Sequence, residues 1–201
     1  MLIIKLYFML DSKFFQSLLT KYIKYGQSRH RLLKASSDLL RFSKQVIFSL
    51  HRDSLNEAKE LLEKAEKLIK DLTKEAPSFF EQGFMKAAIE EYVEAKFFYQ
   101  YLTNEKIGLL KQIPDHSHEV YLGGLSDLTG ELVRRAVLLA SDGKYKEIKK
   151  IRNFIEEIVE GLIQFDLTGK LRTKYDDAKR NLKRIEGIIY DLHIQKIKIN
   201  G

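Results

Sequence analysis

The sequence predicts an all-α fold: a single-domain bundle of about six or seven helices spanning residues 1–201. Three observations predict it. Apolar residues recur at spacings of three and four in nearly every segment, the period of a helix with one buried face. Period-two alternation between turn dipeptides, the mark of strands, is missing. Only two prolines, Pro77 and Pro114, interrupt 201 residues. With 44% hydrophobic and 31% charged residues the composition is globular, and the length allows one domain with a sizeable core.

The opening decapeptide, MLIIKLYFML, is apolar but broken by Lys5, and Asp11-Ser12-Lys13 follows without a cleavage pattern. It does not read as a secretory signal and is too short to span a membrane. Residues 1–20 read as an extension that is buried or touches a partner; a start codon assigned too far upstream is the alternative. The first long helix runs from Asp11 to Leu50, with a break expected near Gly26. Leu32, Leu39, Val46 and Leu50 mark its apolar stripe. Asp53 or Ser54 then caps a second helix reaching Glu75, with the stripe Leu55, Ala58, Leu61/Leu62, Ala65, Leu68/Ile69 and Leu72. Pro77 suits the first turn of a third helix that ends near Thr103. This helix is aromatic and apolar almost all round, which predicts burial between helices or in a subunit interface.

A looser stretch through Gly108 and Pro114 leads to a fourth helix, Ser117 to Ala140, closed by Ser141-Asp142-Gly143. A fifth spans Lys144 to Gln164 and a sixth Leu171 to Gln195. The tail IKIKING has some strand character.

Charge is segregated. Residues 21–52 carry eight Lys/Arg against one acid, Asp38, so this segment alone equals the net charge of +7 of the whole chain. A second basic run covers Lys170 to Arg184. Such segregation points to a polyanionic partner. Arg29, Arg31, Lys34, Arg41, Lys44 and Arg52 are the candidate backbone-phosphate contacts. Tyr22 and Tyr25 are the aromatics best placed to stack on bases. The chain has no cysteine, which excludes disulfides and thiolate metal sites and agrees with a reducing, cytoplasmic setting.

Between the basic runs lies IEEYVEAKFF, Ile89 to Phe98. At about 100° per residue, Phe84, Ala87, Glu94, Ala95 and Phe98 fall within about 60° of Glu91. Glu91 and Glu94 therefore share an apolar face. Glu90 falls farther round, one turn after Lys86, and reads as its solvated ion-pair partner. Two carboxylates on an apolar face are costly to bury as charges. A shared proton, a cationic side chain or a bound metal ion would each relieve that cost.

The fourth helix offers a second pair. In YLGGLSDLTGELVRRAV, Asp127 and Glu131 are four apart and share a face. Asp127 has no basic residue one turn away, whereas Glu131 has Arg134 and Arg135 within reach. Gly123, Gly124 and Gly130 each cost a helix about 1 kcal/mol relative to alanine. Close approach of another helix or of a ligand would explain them. Two helices with two carboxylates each can build a site for Mg²⁺ or Mn²⁺, hard cations that select oxygen ligands. Carboxylates beside a basic surface are the chemistry of metal-assisted phosphodiester hydrolysis.

At these residues the chain resembles the translin/Trax family. SSDLLRFSKQVIFSLHR (Ser36–Arg52), EEYVEAKFF (Glu90–Phe98), LGGLSDLTGELVRRAV (Leu122–Val137) and LRTKYDDAKRNLKRIEGIIYDLHIQ (Leu171–Gln195) carry the likeness, in the family's order. EYVEA and DLTGEL are similar to Trax, the catalytic partner, rather than to translin. The resemblance implies a translin-like helical fold assembled as an octameric shell around RNA or single-stranded DNA. It implies a Mg²⁺-dependent endoribonuclease with Glu91, Glu94 and Asp127 as catalytic acids and metal ligands. Glu131 matches the glutamate of DLTGEL and is an auxiliary ligand. A homo-octamer of this one chain would have to bind and cut. The alternative is a non-catalytic, translin-like shell that binds single-stranded RNA or DNA.

Other motifs carry less. His116 and His118 form an HxH pair in a loop. His51 beside Arg52 suits a phosphate contact or a helix end. Ser141-Asp142-Gly143-Lys144 lacks the glycine spacing and preceding strand of a phosphate-cradling loop. No Ser/His/Asp or Cys/His nucleophile arrangement is readable.

Overall fold

A computed structural model describes residues 12–75, 82–114 and 117–200. They form six helices and no strand: α1 (Ser12–His51), α2 (Leu55–Glu75), α3 (Gly83–Thr103), α4 (His118–Ser141), α5 (Tyr145–Leu162) and α6 (Gly169–Asn200). Residues 1–11, Pro77 and His116 lie outside the described residues, and the third helix, expected to open at Pro77, begins at Gly83 after Gln82 in extended conformation. Two further expectations are corrected. Helix α1 runs unbroken through Gly26, where the chain is exposed and a side chain would meet nothing within 4 Å. The tail expected to have strand character continues α6 to Asn200.

Helix α3 is the centre of the bundle. It packs against α1 on one side and α4 on the other, while α2 lies along α1 and both α5 and α6 pack on α4. This follows from the sequence pattern. Helices α2 and α5 have one apolar stripe each, Ala58–Leu62–Ala65–Ile69 and Ile148–Ile151–Ile155–Ile158, and bury one face. Helix α3 is apolar around most of its girth and buries Met85, Ile89, Tyr92, Val93, Phe97 and Phe98. Each such large side chain contributes about 1.5–3 kcal/mol on removal from water.

Helix α1 has two halves. From Ala35 onward its stripe Ala35, Leu39, Val46 and Leu50 is buried. From Lys13 to Arg31 every residue but Ser28 is exposed, including Phe14, Phe15, Leu18, Leu19, Tyr22, Ile23 and Tyr25. The turn into α2 puts Asp53 in the left-handed region at φ 58°, with its N–H donated to the Leu50 carbonyl. Asn104 ends α3 in the same conformation, at φ 56°. The connection from α3 to α4 is tied down by the Tyr121 hydroxyl, which accepts the Leu110 N–H at 2.8 Å. Among the described residues no helix is long and apolar enough to cross a membrane.

Candidate metal and nucleic-acid site

The acids meet at the seam between α3 and α4. Two glycines let the seam close. A Cβ on Gly124 would stand 2.7 Å from Val93 Cγ1 and 3.1 Å from the Glu90 carbonyl oxygen. One on Gly123 would stand 2.7 Å from Glu90 Cδ. Close helix approach is therefore the reason for both, and it sets Asp127, one turn past Gly123, across from the α3 acids. Gly130 has looser surroundings, with Asn181 Nδ2 3.6 Å from such a Cβ. Asn181 in turn donates to the Thr129 hydroxyl at 2.9 Å and fastens α6 to α4.

Glu94 is the deepest of the acids. The residue is 7% exposed, and among the described residues no side chain or backbone group donates a hydrogen bond to it. Burial pushes its carboxyl up to about 9, and the nearby charges of Asp127, Glu91 and Glu131 act in the same direction. Glu91 is half-buried and is also raised, first by burial and then by Asp127 and Glu131, against the opposing charge of Lys44. All four acids singled out by the sequence thus share one electrostatic neighbourhood.

Helix α6 supplies a cation that reading α3 and α4 alone missed. The Lys174 ammonium donates to Asp127 Oδ2 and pairs with Glu90 Oε1 at 3.1 Å; its side chain is 14% exposed. Burial disfavours the ammonium. The hydrogen bond and charge of Asp127, with those of Glu90, outweigh that and hold Lys174 above the ordinary lysine range. A signal was present: Lys174 stands one turn before Ala178, on the buried stripe of α6 that includes Ala178 and Ile185.

Glu90 is the main correction. Its expected partner, Lys86, pairs instead with Glu119 at 2.9 Å. Glu90 pairs with Lys170 at 2.8 Å and with Lys174, and its side chain is 13% exposed. It belongs to the network around Asp127 and is no bystander. Glu131 also has an unforeseen partner: His51 Nε2 lies 2.5 Å from Glu131 Oε2. The His51 side chain is buried, packs 5.1 Å from the Phe98 ring, and leaves Nδ1 without a hydrogen bond. A phosphate contact by His51 is thereby set aside. Arg134 approaches Glu131 at 3.6 Å, whereas Arg135 turns to Asp53 and to the His51 carbonyl.

The six basic candidates, Arg29, Arg31, Lys34, Arg41 and Lys44 on α1 and Arg52 in the turn that follows it, are all exposed. They differ in freedom. Arg41 pairs with Asp38 at 2.9 Å and lies 4.6 Å from the Phe42 ring centre, and Arg52 lies 5.5 Å from that of Phe48. Lys44 is close enough to Glu91 for its charge to be felt there, so the basic surface of α1 reaches the acids. Tyr22 and Tyr25 are 72% and 60% exposed.

Whether the acids suit Mg²⁺ or Mn²⁺ is a question of donor type and of charge. The donors are all carboxylate oxygens, as hard divalent cations require. Glu94 is 7% exposed, and the one opposing charge felt there, that of Lys174, is outweighed by burial and by Asp127, Glu91 and Glu131. In kind, the set fits such an ion. The arrangement is not a finished cage: among the described residues no three His, Cys, Asp or Glu side chains are grouped so as to hold a metal ion. The Lys174 ammonium is already held by one of the four acids, Asp127.

The fold and site define a class: a helical bundle with a partly buried carboxylate cluster on the α3–α4 seam, within electrostatic reach of a basic helix. The chain belongs to the Translin family, whose pattern matches residues 27–196. It is 29% identical over 177 residues to an uncharacterised protein of Methanocaldococcus jannaschii, covering 85% of this chain and 78% of that one. It is 25% identical over 231 aligned residues to translin-associated protein X of Rattus norvegicus, covering 92% and 78% respectively. Among solved structures, AfC3PO in complex with duplex RNA is similar in fold, with a TM-score of 0.79 and 23% identity over 91% of this chain and 98% of that one.

Proposed function

We propose that this chain is a metal-dependent endoribonuclease of the Trax type, acting on single-stranded RNA within a homo-oligomer. One observation carries the reading. Glu94 is a largely buried carboxylate, 7% exposed, to which no described residue donates a hydrogen bond, and the charges of Glu91 on its own helix and Asp127 on the next both act on it. A fold has little reason to keep such a group unless a cation visits it.

Glu91, Glu94 and Asp127 would hold Mg²⁺ or Mn²⁺, with Glu131 as an auxiliary ligand oriented by His51. When bound, the divalent ion supplies positive charge to the phosphate and an acidified water. The chain's own residues do the rest. Arg29, Arg31, Lys34, Arg41, Lys44 and Arg52 would bind backbone phosphates without reading sequence, and Lys44 would guide the strand toward Glu91. Burial on the α3–α4 seam shields Glu94, 7% exposed, from screening by bulk water, while Asp127 and Glu131 stay within reach of solvent. A homo-octamer, as the family likeness implies, would enclose the site; its exposed apolar surface on α1 supports self-association. DNA is a second polyanion the same basic face would accept, and a cytoplasmic setting agrees with the absence of cysteine.

A second reading is a non-catalytic nucleic-acid-binding oligomer. The Lys174 bridge favours it, because it neutralises Asp127 without any metal. A Mg²⁺ titration of RNA cleavage, on single-stranded and duplex substrates, separates the two. Metal-dependent cutting supports the enzyme; tight binding without cutting at any Mg²⁺ or Mn²⁺ concentration supports the second reading.

A further inference from the structure

We propose that Lys174 is a built-in counter-cation that competes with the divalent ion for Asp127 and must leave that carboxylate when the ion binds. The inference rests on the reading of Glu91, Glu94 and Asp127 as metal ligands, and goes beyond it to a residue of α6. The Lys174 ammonium is fixed at two points, Asp127 Oδ2 and, at 3.1 Å, Glu90 Oε1. With its side chain 14% exposed, it has little water to screen it. An ammonium and a divalent ion on one carboxylate repel strongly in such surroundings. They can share the neighbourhood only if the lysine withdraws.

The structure provides a place to withdraw to. Glu90 already accepts the same ammonium, and its other partner, Lys170, is an outer residue whose side chain is 66% exposed. Lys170 can return to water at little cost, leaving Glu90 to Lys174 alone. The close packing of Gly123 on Glu90 keeps that carboxylate in place beside Asp127. Glu90 is therefore a positioning residue: it parks the lysine rather than binding the ion. Lys174 lowers metal affinity in the resting site, keeps Asp127 paired when no ion is present, and stays paired with Glu90 once displaced.

The test is Mn²⁺ binding to the full-length protein at pH 8, read by electron paramagnetic resonance and independent of cleavage. Lys174→Met keeps the aliphatic stem and removes the charge; it should bind Mn²⁺ about tenfold more tightly than wild type. Lys174→Arg should bind no more tightly than wild type. Glu90→Gln moves the other way: with its parking place weakened, Lys174 stays on Asp127 and Mn²⁺ affinity should fall several-fold, by about the worth of one charge-assisted hydrogen bond. This variant keeps the proposal testable if Lys174→Met does not fold. Equal or weaker binding by folded Lys174→Met, or unchanged binding by Glu90→Gln, overturns the proposal. Glu94→Gln and Asp127→Asn separate the two levels of argument. If Mn²⁺ binds wild type and is lost in both, the metal site stands and only the role of Lys174 is judged. If binding is absent, or indifferent to both, the metal-site reading fails and the proposal with it.

Discussion

Glu94→Gln should stabilise the metal-free protein at neutral and alkaline pH. In the folded chain this carboxyl is pushed from its ordinary 4.5 up to about 9, chiefly by burial. Between those values the native state holds a proton that the unfolded chain releases. Its contribution to stability is complete below about pH 4.5 and is lost as pH rises through about 9. At pH 7, holding the proton against a carboxyl that would ionise near 4.5 costs about 3 kcal/mol, at about 1.4 kcal/mol per pH unit. Glutamine keeps the shape and has no charge to suppress. Its buried amide still lacks partners, so the net gain should be about 1–3 kcal/mol. For a chain of this size that is a rise in Tm of about 3–10 °C. Thermal unfolding from pH 5 to pH 9 should show wild type losing stability faster than the variant. Mg²⁺ should raise the Tm of wild type and leave that of Glu94→Gln unmoved. Equal melting temperatures with parallel pH dependence would refute the claim that Glu94 is buried without a partner.

Other expectations follow from the same structure. Gly124→Ala should destabilise by about 1–3 kcal/mol, because its Cβ meets β-branched Val93 and the Glu90 backbone, whereas Gly130→Ala should be neutral or stabilise by up to about 1 kcal/mol; urea melts of the two variants check the pair. Reversing Arg31, Lys34 and Arg41 to Glu should weaken RNA binding and flatten its salt dependence, with the smallest share from Arg41, which already pairs with Asp38. Unchanged affinity and slope would reject α1 as the binding helix. Light scattering at micromolar concentration should give a multiple of 23.5 kDa, and a monomeric mass would contradict the self-association read from α1.

Helix type and order were legible because each stripe repeats with one period: Ala58–Leu62–Ala65–Ile69 and Ile148–Ile151–Ile155 specify which face is inward without any tertiary knowledge. Gly26 misled because a lone glycine costs a helix about 1 kcal/mol, which does not compel a break. The approach of α3 and α4 could be inferred from Gly123 and Gly124, since few other reasons put adjacent glycines inside a helix. What helix phase cannot show is which side chain arrives from a third helix. Glu90 lies off the Glu91–Glu94 face, as expected, yet α6 delivers Lys170 and Lys174 to it from 80 and 84 residues away. Charge at exposed i, i+4 positions pairs locally by default, and only packing reveals that Lys86 turns to Glu119. His51 follows buried Ile47 by one turn, a position that argues for the interior. Its place beside Arg52 argued for the surface, and burial against Phe98 decided the matter.

The central claim is that Glu91, Glu94 and Asp127 form one metal-dependent cutting site. The most direct measurement is single-turnover cleavage of single-stranded RNA with saturating Mg²⁺, on wild type and on Glu91→Ala, Glu94→Ala and Asp127→Ala, with RNA affinity and assembled mass measured on the same samples. Wild type should cut only with the metal, and each variant should lose orders of magnitude in rate while still assembling and binding RNA. Cleavage at the wild-type rate by Glu91→Ala and Asp127→Ala, or no metal-dependent cleavage by wild type on any RNA, would contradict the account.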